Sequence, residues 1–408
     1  MDLRITPHKL SGSVKIPASK SMAHRAIICA ALSGGISYLS GVTFSNDIYA
    51  TLSAMEQFGM NYEITEDEIA ISGITSPHGS AVADCVESGS TLRFLIPVAA
   101  ALGTKTMFCG KGRLPERPIT PYLRELPAKG ITFDYQNTMP FTIEGKLQPG
   151  VFALEGDISS QFITGLLLAL PMLSGDSEIH MTSPLQSKPY ADMTIDCMAH
   201  FGVHIKETAE GYHIPGNQTY QAADLRIEGD FSQAAFFVAA NAIGNDVKLA
   251  NVPEKSVQGD RKIVEIINQM WYNKEELFLI DASDIPDLVP IIAVAASLAP
   301  RPTRITGAQR LRIKESDRLA TTAALINTLG GKVIIHPDGL EITPVSTFTG
   351  GTVDSAGDHR IAMCAAIAAT RAADDVIIRG AQCVTKSYPA FFTDYQNLGG
   401  VAYGIHLE

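Results

Sequence analysis

One arrangement recurs six times along this chain. A short polar cluster is followed at once by an apolar, Ala-rich stretch of helical length. Ser19-Lys20-Ser21 precedes 22–32, Gly89-Ser90-Thr91 precedes 92–102, and Ser159-Ser160-Gln161 precedes 162–173. Asp230-Phe231-Ser232-Gln233 precedes 234–243, Asp284-Ile285-Pro286-Asp287 precedes 288–298, and Asp358-His359-Arg360 precedes 361–370. With onsets at Ser21, Ser90, Gln161, Gln233, Asp287 and His359, the steps are 69, 71, 72, 54 and 72 residues. A period of this size means stacked supersecondary units rather than an irregular fold. Stretches apolar all round predict buried helices, and at about a dozen residues each they are too short to span a membrane.

A second marker keeps step with the first. Glycines at 59, 130, 202, 330 and 399 follow helix-like segments and precede alternating runs. A Gly just past a helix reads as its stop, and two alternating runs read as a hairpin. The chain closes on such a run at 400–406. Between 202 and 330 one glycine is missing, with Gln269-Met270-Trp271 in its place, in the unit with the 54-residue step. A trimmed hairpin is expected there. Each unit therefore reads as strand, buried helix, strand, amphipathic helix and two strands. The fold expected is α/β, with two similar domains of three repeated βαβαββ units each. Their expected limits are 15–225 for the first, and 1–14 plus 226–408 for the second. The N-terminal strand goes with the C-terminal half, because the sixth unit otherwise lacks a partner strand.

Composition narrows the function classes. The net charge of −11 over 408 residues argues against nucleic acid as a partner and gives no sign of an anionic membrane surface. The N-terminal run Met1-Asp-Leu-Arg-Ile-Thr-Pro7 has no apolar core, so no signal peptide is expected. The six cysteines form no C-x-x-C pair and no zinc spacing with His. Free thiols and a cytoplasmic location are the expectation.

Cations gather at the helix starts. Lys20 and Arg25 flank the first onset, Arg93 lies one turn into the second, and Arg360 begins the sixth. Further clusters stand before the amphipathic helices: Arg117-Pro118-Ile119, Ser187-Lys188-Pro189-Tyr190, Gln258-Gly259-Asp260-Arg261, Lys314-Glu315-Ser316-Asp317-Arg318 and Lys386-Ser387-Tyr388-Pro389. A cation opposes the positive end of the helix dipole, so its repeated use there predicts an anionic ligand. Ser and Thr in these clusters either cap helices or donate to phosphate oxygens. Asp287 and Glu315 also have two readings. Each is a local cap or ion pair, or an acid–base group tuned by the cations beside it.

Nine motifs in order resemble the 5-enolpyruvylshikimate-3-phosphate synthases. They are Pro17-Ala-Ser-Lys-Ser-Met-Ala-His-Arg25, Ser88-Gly89-Ser90-Thr91-Leu-Arg93, Glu116-Arg117-Pro118-Ile119 and Ser159-Ser160-Gln161-Phe162. The rest are Ser187-Lys188-Pro189-Tyr190, Ile285-Pro286-Asp287, Lys314-Glu315-Ser316-Asp317-Arg318, Asp358-His359-Arg360-Ile-Ala-Met-Cys364 and Lys386-Ser387-Tyr388-Pro389. The resemblance implies an inside-out barrel of two three-repeat domains. It implies transfer of the enolpyruvyl group of phosphoenolpyruvate to the 5-hydroxyl of shikimate 3-phosphate, with no metal or cofactor. It implies a monomer whose partners are these two small molecules. The site is expected in the cleft between the domains, with closure around the two anions, because like charges facing across an empty cleft hold it open.

Family roles carry over onto matched positions. Lys20, Ser21, Arg25, Ser159, Ser160, Gln161, Ser187, Asp287 and Lys314 resemble ligands of shikimate 3-phosphate. Lys20, Gly89, Arg117, Gln161, Arg318, Arg360 and Lys386 resemble ligands of phosphoenolpyruvate. Asp287 is expected to take the hydroxyl proton and Glu315 to protonate C3, with Lys20 as a partner in proton transfer. The inhibitor glyphosate, which occupies the phosphoenolpyruvate slot in the family, is expected to inhibit, because Gly89 adds no bulk there.

There are departures from the pattern. Arg310 replaces a common Asn ligand, Ser90-Thr91 a common Thr-Ala pair, and Phe94 a common Pro. The related UDP-N-acetylglucosamine enolpyruvyl transferases carry Lys-Asn in place of Lys20-Ser21. They also have a reactive Cys at the position of Gly112, so that reading fails twice. A non-catalytic sensor of a phosphorylated metabolite would not need the two carboxylates or two sets of anion ligands.

Overall fold

The structure is a computed structural model that describes residues 1–272 and 275–405. His406, the end of the last alternating run, lies outside the described residues. The α-helices in chain order are α1 (Lys20–Leu32), α2 (Asn46–Gln57), α3 (Gly89–Leu102), α4 (Thr120–Glu125), α5 (Ser160–Ala169) and α6 (Lys188–His200). They continue as α7 (Phe231–Ala242), α8 (Lys262–Tyr272), α9 (Val289–Ala296), α10 (Arg318–Thr328), α11 (His359–Ala369) and α12 (Phe391–Asn397). Odd and even helices differ in kind. Every residue of α9 and of α11 is buried, whereas α8 buries Ile263, Ile267 and Met270, one stripe at helical spacing.

The polar clusters explain where the odd helices begin. Side chains of Ser19, Ser88, Ser159, Asp230 and Asp358 each accept a hydrogen bond from a backbone N–H in the first turn of α1, α3, α5, α7 and α11. Such caps stabilise a helix by about 1 kcal/mol each. Helix α9 has no side-chain cap and is entered instead through the 3-10 turn Pro286–Leu288. The five stop glycines have positive φ, from 78° at Gly202 to 109° at Gly59, a region that favours Gly.

Five sheets have four strands in one common order. The second unit shows it: Ser80–Asp84 runs parallel to Lys105–Cys109, which pairs antiparallel with Phe141–Gly145, which pairs with Ile131–Asp134. Helices α3, α5, α9 and α11 are thus the crossovers of parallel pairs. Two sheets take their first strand from elsewhere. Leu225–Arg226, after the third unit, pairs with Ile36–Ser40 of the first. Ser11–Lys15 pairs with Asp246–Ala250 of the fourth. In the sixth sheet Asp2–Thr6 lies between Val376–Arg379 and Val401–Ile405, with Leu3 opposite Ile378.

The fourth sheet has just the two strands Ser11–Lys15 and Asp246–Ala250 among the described residues. Between α8 and the next strand, Phe278–Asp281, no hairpin is described. The outward backbone of Asp246–Ala250 is met by a side chain instead. Asn241 of α7 accepts from Val247 N–H at 2.7 Å and donates to Val247 C=O at 2.8 Å. An unpaired edge is a template for another strand, and the amide occupies it.

The chain forms two compact units, Met1–Pro17 with Glu228–Glu408, and Ala18–Ile227. Each has its own apolar core, built on α7, α9 and α11 in the first and on α1, α3 and α5 in the second. The approach of α3 and α5 is close. A Cβ on Gly165 of α5 would lie 2.4 Å from the Arg93 carbonyl oxygen and 2.3 Å from the Tyr122 hydroxyl. That hydroxyl donates to Arg93 C=O at 2.7 Å and to Phe162 C=O at 3.0 Å, tying the two helices together. No described helix is long and apolar enough to cross a membrane.

Candidate active site

In the unit Ala18–Ile227, the starts of α1, α3 and α5 carry most of the expected ligands. Lys20, first in α1, donates to Asp47 Oδ2 at 2.6 Å. Asp47 is in the first turn of α2 and was not singled out from the sequence. An acid in a first turn has an ordinary dipole role, so only its partner marks it. Arg25 is one turn beyond Ser21 and donates to its carbonyl oxygen at 2.6 Å. Its other N–H groups reach Thr194 Oγ1 at 2.7 Å, Tyr190 C=O at 2.9 Å and Thr164 Oγ1 at 3.3 Å. It is 2% exposed, lies 5.2 Å from the centre of the Phe94 ring, and has neutral oxygens as hydrogen-bond acceptors. Burial pulls its pKa down to about 10, so it stays protonated at neutral pH. Phe94 thus serves as an apolar wall for this cation.

Gly89 opens α3 directly against Arg117. A Cβ there would lie 2.8 Å from Arg117 Nη1. Arg117 is 8% exposed and its buried Nε has no hydrogen-bond partner. Gln161 is held at both ends: Oε1 accepts from Arg93 Nη1 at 2.6 Å, and Nε2 donates to Ser90 Oγ at 3.0 Å. Arg93 also donates to Pro118 C=O at 3.1 Å and lies 4.9 Å from the Phe162 ring centre. The sequence placed Arg93 at this helix start without a role; here it orients Gln161. Ser159 caps Gln161 N–H, and Ser160 is buried in the first turn. Ser187, the residue before α6, is 2% exposed and has φ of 58°, an uncommon left-handed conformation for a residue with a Cβ.

The other unit gathers Asp287, Lys314, Glu315, Arg318 and Arg360 into one network. Asp287 Oδ1 accepts from Arg318 Nη1 at 2.8 Å, and Oδ2 accepts from Arg360 Nη2 at 2.8 Å. Lys314 Nζ is 3.8 Å from Oδ1. Arg318 Nη2 donates to Glu315 Oε2 at 2.7 Å and its Nε to Asp358 Oδ2 at 2.8 Å. Asp358 also caps α11 through Arg360 N–H at 3.0 Å. Lys386 donates to Gly357 C=O at 2.9 Å, at the loop that leads into Asp358. Arg310 donates to Ser283 C=O and is 7% exposed.

Three carboxylates and three cations share this network, and the cations do not all wait for a ligand as the helix-dipole argument expected. The Arg318 side chain is 1% exposed and already bonded to Asp287, Glu315 and Asp358. Burial lowers its pKa, but Asp358, Glu315 and Asp287 outweigh that and raise it well above its ordinary value. Burial pushes the Asp287 carboxyl up, yet Arg360, Lys314 and Arg318 together hold it far below the usual carboxylate range. Burial pulls Lys314 down to about 8 although Asp287 opposes the change. The result, without a ligand, is a carboxylate ionised at neutral pH and partly exposed at 19%. No group of three His, Cys, Asp or Glu side chains suited to a metal ion occurs among the described residues.

The family model for EPSP synthase (3-phosphoshikimate 1-carboxyvinyltransferase) matches residues 5–395. The 3-phosphoshikimate 1-carboxyvinyltransferase of Clostridium beijerinckii is 43% identical, over 98% of each chain. That of Clostridium perfringens is 44% identical, over 98% of this chain and 99% of the relative. The solved structure of EPSP synthase from Acinetobacter baumannii superposes with a TM-score of 0.81 at 25% identity, over 99% of this chain and 100% of that one. Sequence, repeat architecture and structural likeness agree over the whole length, and the chain belongs to the EPSP synthase (3-phosphoshikimate 1-carboxyvinyltransferase) family.

Proposed function

We propose that this protein transfers the enolpyruvyl group of phosphoenolpyruvate to the 5-hydroxyl of shikimate 3-phosphate, releasing phosphate, in aromatic amino-acid biosynthesis. The observation that carries the reading is Asp287, an ionised carboxylate bonded at 2.8 Å to both Arg318 and Arg360. Arg forks match carboxylate and phosphate geometry, and phosphoenolpyruvate has one of each. Lys20, Gly89, Arg117, Gln161, Arg318, Arg360 and Lys386 serve phosphoenolpyruvate. Lys20, Ser21, Arg25, Ser159, Ser160, Gln161, Ser187, Asp287 and Lys314 serve shikimate 3-phosphate.

In the addition step the 5-hydroxyl oxygen bonds to C2 of phosphoenolpyruvate, and its proton goes to Asp287. The former double-bond electrons take a proton at C3 from Glu315, with Lys20 as a partner in proton transfer. The tetrahedral intermediate then loses a C3 proton and expels phosphate, restoring a double bond. Asp287 is too weak a base while three cations hold it. An incoming phosphate or carboxylate competes for those cations and returns basicity to Asp287, so anion binding prepares the proton transfer. The neutral caps around Arg25 suit the 3-phosphate, because a charge buried among dipoles gains most from a counter-ion.

Phosphate release requiring both substrates tests the reading. Release from phosphoenolpyruvate alone, or binding of both without turnover, refutes it, and the second result would favour a sensor. The protein acts as a monomer in the cytoplasm on this proposal. Its six free cysteines suit a reducing compartment, and sedimentation tests the monomer.

A further inference from the structure

Helix α3 carries two of the departures from the family pattern, Thr91 and Phe94, one turn apart on one face. Both reach His24 of α1, Thr91 by way of Thr51 of α2. Thr91 Oγ1 donates to Ser88 Oγ at 2.7 Å and lies 2.7 Å from Thr51 Oγ1, which lies 2.7 Å from His24 Nδ1. With the Thr91 proton committed to Ser88, the Thr51 hydroxyl donates to Thr91, and His24 Nδ1–H donates to Thr51. Burial, Lys20 and Arg25 push the His24 pKa well below its ordinary value, so this ring is neutral. The Phe94 ring meets it at 89°, with ring centres 6.4 Å apart. The common Ala and Pro at these two positions have neither the hydroxyl nor the ring.

The same Phe94 ring carries Arg25 over its face, with Cζ 5.2 Å from the ring centre. The guanidinium is held in its own plane by other groups. All but one of its N–H groups donate: Nε to Thr194, Nη2 to Thr164 and the Tyr190 carbonyl oxygen, and Nη1 to the Ser21 carbonyl oxygen. The second N–H of Nη1 has no acceptor among the described residues. These bonds lie at the edge of the guanidinium, and Phe94 covers a face. Phe94 is 1% exposed, so the ring fills space that water would otherwise occupy beside the cation.

We propose that Phe94 is a positioning residue for shikimate 3-phosphate: its ring face keeps water off Arg25 and stops the guanidinium tilting, so that the remaining Nη1 N–H meets an anionic group of the substrate. The inference rests on the role of Arg25 in the activity proposed above. A cation over an aromatic face gains more in a dry site than at the surface. Its pull on an anion weakens as water enters and the local dielectric rises. Phe94 therefore sets the affinity for this substrate through Arg25.

Phe94→Leu keeps an apolar residue that suits a helix and removes the ring face. Calorimetry should give a Kd for shikimate 3-phosphate roughly three- to tenfold above wild type, the size of a lost desolvated cation–π contact. Its KM should rise alike, while kcat and KM for phosphoenolpyruvate stay within about twofold, a split that general loosening of the core would not produce. Phe94→Tyr restores the ring face and should bind shikimate 3-phosphate more tightly than Phe94→Leu. In ¹⁵N-Arg-labelled wild-type protein the ring should move the Arg25 Nε–H resonance upfield without any substrate, the resonance being assigned by its loss in Arg25→Lys. Wild-type protein that binds no shikimate 3-phosphate refutes the activity and this inference with it. Where wild type binds it, an equal Kd in Phe94→Leu overturns the inference alone. So does a proportionate loss for phosphoenolpyruvate, a Phe94→Tyr protein as weak as Phe94→Leu, or the lack of the upfield shift.

Discussion

Gly89→Ala tests the corner where α3 begins. The added Cβ falls 2.8 Å from Arg117 Nη1, 3.0 Å from Cζ and 3.1 Å from Nη2. Ordinary contact begins at 3.4 Å, so the guanidinium must withdraw by about 0.6 Å. Gly89 has no positive φ, so Ala strains nothing in the turn and the helix should form as before. A hydrogen bond to a charged group contributes about 1.5–3 kcal/mol. Stretching the Arg117 contact to phosphoenolpyruvate by this amount should forfeit roughly half of it. That is about 0.75–1.5 kcal/mol, a rise of roughly three- to twelvefold in KM for phosphoenolpyruvate. The kcat should change less, because the proposed proton-transfer groups, Asp287 and Glu315, are untouched. Glyphosate should inhibit the wild type in competition with phosphoenolpyruvate, and the new methyl group should weaken it by more than tenfold. Steady-state phosphate release, with phosphoenolpyruvate varied at saturating shikimate 3-phosphate, reads all of these. An unchanged KM and inhibition constant in the variant, or indifference of the wild type to millimolar inhibitor, would refute the reasoning.

Asp287→Asn removes the base and should lower kcat by about 10²–10⁴ with circular dichroism unchanged; a kcat within a few-fold of wild type removes that role. Glu315→Gln should behave alike if Glu315 protonates C3, and a near wild-type kcat would take the role from it. Lys314 loses its charge as pH rises through about 8, so KM for shikimate 3-phosphate should climb there. Lys314→Arg, always charged, should abolish that climb, and its persistence would assign it elsewhere. Gly165→Ala drives a Cβ to 2.4 Å from the Arg93 carbonyl oxygen and should destabilise the protein by about 1–3 kcal/mol in urea unfolding. An unchanged unfolding midpoint would show that α3 and α5 can part freely.

The parts of the fold legible in the sequence were those whose causes are local. A cap and the helix it begins are adjacent residues, so Ser88 and α3 or Asp358 and α11 could be read together. Stop glycines and alternating hairpins are local in the same way. The fourth unit, whose sheet has two strands among the described residues, announced its shortening as a 54-residue step. The amide of Asn241 that covers the resulting edge gave no signal, because Asn near a helix end has many uses. The exchanged strand Leu225–Arg226 was equally silent, since a two-residue strand has no period.

The candidate residues divide along the same line. Residue type marked Lys20, Arg117, Asp287 and Arg360 as able to bind anions or move protons. Asp47 was passed over, because a carboxylate near a helix start is ordinary until its neighbours are known. What the sequence determined by itself was the repeat, the caps and the chemical kinds at the helix starts, all set by contacts a few residues apart. Tertiary structure alone decided that Arg318 is saturated by three carboxylates while Arg25 has only neutral acceptors. It alone surrounded Asp287 with Arg360, Lys314 and Arg318, which hold its carboxyl far below the usual range. Burial and through-space charge fix those states, and both come from residues far apart along the chain.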